Sequence, residues 1–197
     1  DLELADTEQI SSFGFRGKVR QVSLASLRDL GADTADLKGS LSGSGSASFA
    51  NGVWTGEGEI QIDKGGYKGE LFDTLRAKMQ IRDQQLRLHA AEVQRGTAHA
   101  SADGSIDIKR RSLGLNVRLK NLSLAELPLA QSRKLPVRAL VSAAGALDGS
   151  FDNPSFDGTV EVNSLQYNSY NLGNGRGTVR FKSRTVQSQI RDRKSVV

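Results

Sequence analysis

The residues able to do chemistry are few and poorly clustered. His89 and His99 are the two histidines of the 197-residue chain, and there is no cysteine. Two histidines without a cysteine or carboxylate cluster beside them make a poor metal site. Both fall on the polar parity of alternating stretches, so they read as solvent-facing strand positions that could meet across a hairpin. Asp148, Asp152 and Asp157 read as turn residues, and no set of nucleophile, base and orienter can be assembled around them. The small-residue run Gly43-Ser44-Gly45-Ser46 invites a phosphate-loop reading. Such a loop needs a preceding strand, a following helix and a closing Lys-Ser/Thr pair, and none is present. The expectation is a protein that is not an enzyme and holds no metal or cofactor.

The formal charge is +5, yet the basic residues are dispersed. The densest clusters are Lys109-Arg110-Arg111, at an expected turn, and Arg191-Asp192-Arg193-Lys194. Nucleic-acid surfaces concentrate their cations and interleave aromatics for stacking. That pattern is missing, so no nucleic-acid partner is expected. No apolar run approaches the roughly 20 residues of a membrane-spanning helix. A transmembrane barrel would need aromatic girdles, and the chain has one tryptophan and three tyrosines. Asp1-Leu2-Glu3-Leu4 is acidic and already alternating, unlike a signal peptide, and reads as the middle of a longer pattern.

The elements behind this scatter are strands. Aliphatic residues come singly, separated by polar ones, and period-two alternation puts successive side chains on opposite faces of a strand. Leu75, Ala77, Met79 and Ile81 alternate with Arg76, Lys78, Gln80 and Arg82; Leu86, Leu88 and Ala90 alternate with Arg87 and His89. Further faces are Leu113, Leu115, Val117 and Leu119, then Val179 and Phe181. Asn51-Gly52 is a hairpin signal because both residues tolerate positive φ. Lys64-Gly65-Gly66, Arg95-Gly96 and Asp103-Gly104 are expected to turn the chain. A hairpin is expected over Leu135–Val162, with Asn153-Pro154 initiating its turn and a second strand starting at Gly158. Short helical or irregular crossings are expected at Leu24–Leu30 and Ser123–Ser132.

The most specific signal is internal similarity, and long periods bear on fold before anything else does. Val22-Ser23-Leu24-Ala25-Ser26-Leu27 returns as Leu122-Ser123-Leu124-Ala125-Glu126-Leu127, one hundred positions on (122 minus 22). Leu41-Ser42 returns as Val141-Ser142, Gly45 as Gly145, and Met79 as Val179. The Asn51–Gly56 turn matches Asn153–Gly158 with a two-residue slip. The reading is all-β: one continuous array over residues 1–190, with repeats at about 13–112 and 113–190, each unit packing on its neighbours like a solenoid. Residues 191–197 break the pattern and read as a disordered tail or an assembly scar.

Leu-Ser-Leu-Ala-Glu-Leu at 122–127, the run from Gly145 to Val162, and Leu-Gly-Asn-Gly-Arg-Gly at 172–177 together resemble the periplasmic repeat region of the TamB and wider AsmA-like family. The resemblance covers roughly Phe13 to Ile190. It implies an elongated antiparallel sheet curled into an open apolar groove, a β-taco. It further implies a location in the Gram-negative periplasm, with inner-membrane anchoring by a segment outside this sequence. The implied function is conduction of phospholipid between the inner and outer membranes and support of outer-membrane protein assembly. The implied partners are phospholipid acyl chains and a TamA-like outer-membrane barrel, the latter reached through a part not present here. The implied groove lining is Leu75, Ala77, Met79, Ile81, Leu86, Leu88, Leu113, Leu115, Val117, Leu119, Val137, Val141, Val160, Val162, Val179 and Phe181.

A physical argument points the same way. An apolar strand face must be covered, ordinarily by a second sheet about 10 Å away with interdigitating large side chains. Here that parity is rich in small residues such as Ala98, Ala100, Ala102, Ala139 and Ala143, which leaves room for acyl chains. The competing reading is a structural or adhesive β-solenoid whose small residues pack into a closed core.

Overall fold

The computed structural model describes residues 12–26, 37–67, 69–182 and 185–192. They form one antiparallel sheet of eleven strands whose spatial order is the sequence order. The strands are β1 (Ser12–Ser23), β2 (Leu37–Ala50), β3 (Val53–Tyr67), β4 (Glu70–Arg82), β5 (Gln85–Arg95) and β6 (Ala98–Asp107). The sheet continues with β7 (Ser112–Ser123), β8 (Val137–Ser150), β9 (Asn153–Tyr167), β10 (Tyr170–Lys182) and β11 (Thr185–Asp192). Among the described residues the sheet is not closed, and β1 and β11 are its two edges.

Most links are tight turns, as the short Asn, Asp and Gly signals require. Asn51 and Gly52 take φ of 52° and 79° between β2 and β3, and Asp83 takes 54° between β4 and β5. Two links carry helical turns. Residues 24–26 form a 3₁₀ turn after β1; Leu124–Glu126 form another after β7, followed by the five-residue helix α1 (Pro128–Ser132). The second crossing lies where the sequence puts it. The remainder of the expected Leu24–Leu30 turns lies outside the described residues.

Several expected turns are strand interior instead. Asn153-Pro154 does not turn the chain: the turn is Phe151-Asp152, and β9 starts at Asn153 rather than Gly158. Pro154 lies beyond the last β9–β10 pair, Phe156 with Phe181, so on that side no ladder donor is missing. The two-residue slip between the copies is thereby removed, since 51–52 and 151–152 correspond directly. Lys64-Gly65-Gly66 is a bulge in β3: Lys64 has φ of 49°, and the strand continues to Tyr67. Gly65 is needed there because the Phe72 ring lies where its Cβ would be. Asp103-Gly104 lies within β6; Gly104 has φ of 140°, and an added Cβ would come within 2.9 Å of Leu115 Cα. The bend comes at residues 108–111, which hold the basic cluster Lys109-Arg110-Arg111. Arg191 and Asp192, expected in a tail, pair with Arg176 and Gly175 as part of β11.

Equivalent elements recur at a displacement of one hundred. β2, β3 and β4 begin at 37, 53 and 70, and β8, β9 and β10 at 137, 153 and 170. Their irregularities recur too. Register shifts fall between Val19 and Val22 on β1 and between Leu119 and Leu122 on β7. At these bulges Gln21 and Asn121 have φ of 51° and 55°, and each donates its amide to a serine hydroxyl, Ser42 at 3.0 Å and Ser142 at 3.3 Å.

A candidate apolar face

Fifteen of the sixteen residues proposed for a groove lie in five rows that cross the strands on one face. Ile81, Leu86 and Leu113 share a row through Ile106. Met79, Leu88, Leu115 and Phe181 share the next through Gly104, Leu147 and Phe156. Ala77, Val117 and Val179 follow through Ala91, Ala102, Gly145 and Gly158. Leu75, Leu119 and Val160 form the fourth through Val93, Ala100 and Ala143, and Val141 pairs Val162 in the fifth. Val137, the sixteenth, has the strand parity of Ala139 and Val141 and pairs Tyr167 at the end of β8.

Accessibility follows the same alternation. Ala77 is buried at 7% exposure and the other fifteen are half-buried, whereas Arg76, Lys78, Gln80, Arg118, Lys120, Arg180 and Lys182 are exposed. Among the described residues only six hydrophobics are buried, and no large side chain is fully so. A two-layer sandwich core would bury its large aliphatics almost completely. Among the described residues there is no second sheet, and the 3₁₀ turn Leu124–Glu126 packs against β8.

The row Ala77, Ala91, Ala102, Val117, Gly145, Gly158 and Val179 is narrow in side-chain size, with larger side chains in the rows beside it on β4 and β5. In the middle of β8 and β9 the backbones come close: a Cβ on Gly145 would lie 2.6 Å from Gly158 Cα. A hollow of about 240 Å³ opens on this face at β9 and β10, walled by Val160, Val162, Leu165 and Val179 with Gly173, Gly175 and Gly177 beneath. At the β1–β3 end, Phe13, Phe49 and Trp54 cluster with ring centroids 5.2 to 5.7 Å apart.

The opposite face is polar and carries larger hollows. Furrows of about 760 and 430 Å³ run between its side-chain rows, with Lys18, Ser44, Glu59 and Lys78 forming the ridge they share. Cross-strand ion pairs hold this face in register. Arg180 Nη2 lies 2.6 Å from Asp157, Arg176 Nε 3.1 Å from Glu161, and Lys78 Nζ 3.9 Å from Glu59.

The residues with chemical potential are dispersed or paired. His99 stands opposite Gln94 and Lys120, while His89 sits at the β5 bulge between Leu88 and Ala91, so the two do not face one another. Among the described residues no three metal-ligating side chains cluster. Of the three aspartates expected in turns, only Asp152 is in one; it pairs with Arg111 at 3.5 Å, and Asp148 and Asp157 are strand residues. The basic cluster is engaged structurally. Asp107 accepts the Arg110 amide at 2.8 Å, and the Arg111 guanidinium stacks 5.5 Å from the Phe151 ring centroid.

Sequence reasoning missed Leu147 and Phe156, which complete the second row, because that stretch reads as a turn. It also put Ala90 on the apolar face. The β5 bulge pairs Ala90 with Lys78 and gives the apolar place beside Ala77 to Ala91. The only available signal was the doublet Ala90-Ala91, which interrupts strict alternation.

Fold and face together define an open antiparallel β-meander with one apolar and one charged side. No protein-family model, curated protein or solved structure matches the chain.

Proposed function

We propose that the chain is a segment of a bridge-like lipid carrier of the TamB/AsmA-like kind, and that its apolar face holds phospholipid acyl chains. The observation that carries this reading is the continuity of apolar rows across successive strands of a sheet with no second sheet among the described residues. Each methylene taken from water contributes roughly 0.8 kcal/mol, so an acyl chain lying across these rows is retained without any residue specific for a head group. Small side chains along the central row lower the floor, and the charged face keeps the other side in water.

The recurrence of strands, bulges and Ser42/Ser142 contacts at a displacement of one hundred supports two copies of one unit, stacked as a repeat array. Curling of the array into a groove is part of the same proposal. So are a periplasmic location, conduction of lipid between membranes, and assembly with an outer-membrane barrel through other parts of the protein.

Native mass spectrometry of the purified protein tests the reading. Co-purifying phospholipid is expected, released by detergent. A photo-crosslinker at Val117 or Met79 should capture lipid in cells and one at Arg118 or Lys78 should not. Equal labelling from both parities, or a lipid-free protein, would refute it and favour a structural β-protein.

A further inference from the structure

We propose that the rim formed by the β9–β10 turn and the start of β8 is a docking patch for an anionic membrane surface. The seating is peripheral, with tyrosine and leucine side chains at head-group depth and cations beside them on lipid phosphates. The patch lies at strand ends, beside the acyl-chain rows rather than in them, and does not depend on that reading.

The rim is continuous. Val137, Tyr167 and Tyr170 pair side by side across β8, β9 and β10, and the Asn168 amide donates to the Pro136 carbonyl at 2.8 Å, which ties the turn to the end of the crossover. Large side chains there stand in water: Leu135, Tyr167, Tyr170 and Leu172 are 46%, 48%, 69% and 59% exposed. Tyrosine suits a membrane interface because its ring is apolar and its hydroxyl polar. This exposure does not come from where the described strands stop. In the first unit Tyr67 and Leu71 occupy the same rim with β5 to β11 beyond them. The next crossover abuts that rim, since Arg95 bonds both Glu70 and the Glu126 carbonyl, yet Tyr67 and Leu71 are still 53% and 64% exposed.

Charge selects the partner and separates the two units. Over residues 63–74 the first unit carries Asp63, Glu70 and Asp73; one hundred positions on these are Asn163, Tyr170 and Gly173. The acids of the first rim are engaged, Glu70 with Arg95 at 3.1 Å and Asp73 with the Gly96 amide at 2.7 Å. On the second rim no Asp or Glu falls within 128–140 or 163–174, while Arg133, Lys134 and Arg138 are exposed. A tyrosine thus stands where the first unit has a carboxylate, and three cations stand beside it without a counter-charge on their own segments. Aromatic and aliphatic side chains flanked by cations alone complement an anionic lipid surface. A second copy of the same rim would set cation against cation, which is unfavourable.

The test is co-sedimentation of the intact protein with phosphatidylcholine vesicles, pure or containing about 30% phosphatidylglycerol. Partitioning should be strong only on the anionic vesicles and should weaken as salt is raised. Each cation at the surface contributes about fivefold, so Arg133→Gln, Lys134→Gln and Arg138→Gln together should lower it by about a hundredfold with an unchanged circular dichroism spectrum. The chain has no cysteine, so an environment-sensitive fluorophore can be placed singly, through Tyr170→Cys or, on the opposite rim, Lys109→Cys. The probe at position 170 should shift to the blue on anionic vesicles and the probe at 109 should not. Equal partitioning onto both vesicle types, equal shifts at the two positions, or partitioning unaffected by the triple change would each overturn the proposal. So would no vesicle binding, the result expected of a rim that docks a protein. Leu115→Asp should lose bound lipid yet keep vesicle partitioning, and the triple change the reverse, so failure here is distinguishable from failure of the acyl-chain reading.

Discussion

A methyl group added at Gly145 and one added at Gly17 should have opposite effects, although both glycines lie on the apolar parity of the sheet. At Gly145 the new Cβ would meet the Asp157 carbonyl oxygen and come within 2.6 Å of Gly158 Cα. Both obstacles are backbone, so β8 and β9 must move apart in the middle of the sheet. Overpacking of this kind costs about 1–3 kcal/mol. At Gly17, on the edge strand, an added Cβ meets nothing within 4 Å. There Gly17→Ala mainly reduces the freedom of the unfolded chain, a gain of about 0.4–1 kcal/mol. Thermal unfolding followed by circular dichroism reads the difference, since for a domain of this size 1 kcal/mol moves Tm by about 2–4 °C. Gly145→Ala should lower Tm by about 2–12 °C and Gly17→Ala should raise it by about 1–4 °C. Gly145→Ala melting at or above the parent would refute the close approach of β8 and β9 and the shallow row built on it.

Leu115→Asp and Val141→Asp place a carboxylate among the apolar rows. Setting an ionised group against acyl chains costs about 2 kcal/mol or more, so lipid affinity should fall by about thirtyfold or more, read as loss of bound lipid in native mass spectra, while far-ultraviolet circular dichroism is kept. Asp157→Asn removes the partner of Arg180, a pair whose side chains are 65% and 58% exposed. Its cost in a urea titration should be only about 0.2–1 kcal/mol and should shrink in molar salt. Gly65→Ala should destabilise by about 1–3 kcal/mol, because its methyl would occupy the place of the Phe72 ring, and Gly65→Ala with Phe72→Ala should lose less than the two single changes summed.

Strand identity was legible wherever alternation is strict. Over Leu75 to Arg82 and Leu115 to Lys120, covered apolar positions alternate with exposed polar ones, because a side-chain period of two needs only one strand to declare itself. The candidate face was legible for the same reason: parity read along single strands becomes rows once antiparallel neighbours are in register. Turn positions were less so. Gly and Asp mark either a turn or a bulge, and local sequence does not distinguish a chain that reverses from one that kinks and continues. Lys64-Gly65-Gly66 kinks and Asp103-Gly104 continues its strand because partner strands run on beside them; that information lies in the neighbours. The Ala90-Ala91 exchange has the same origin, as it depends on the register of β4.

Sequence-ordered pairing makes length along the sheet a matter of counting strands. Neighbouring strands lie about 4.8 Å apart, so a stretch of six, from β1 to the start of β7, advances by roughly 29 Å. The long dimension of the apolar face thus grows in a stepwise way with chain length, as on a ruler. Because each strand reverses direction, one strand cannot be added or lost without inverting everything after it. Natural gain or loss should come in hairpins, about 10 Å at a time, leaving every later side chain on its own face. A protein of this design can be fitted to a gap of given width by deleting or duplicating hairpins, without redesign of any single row.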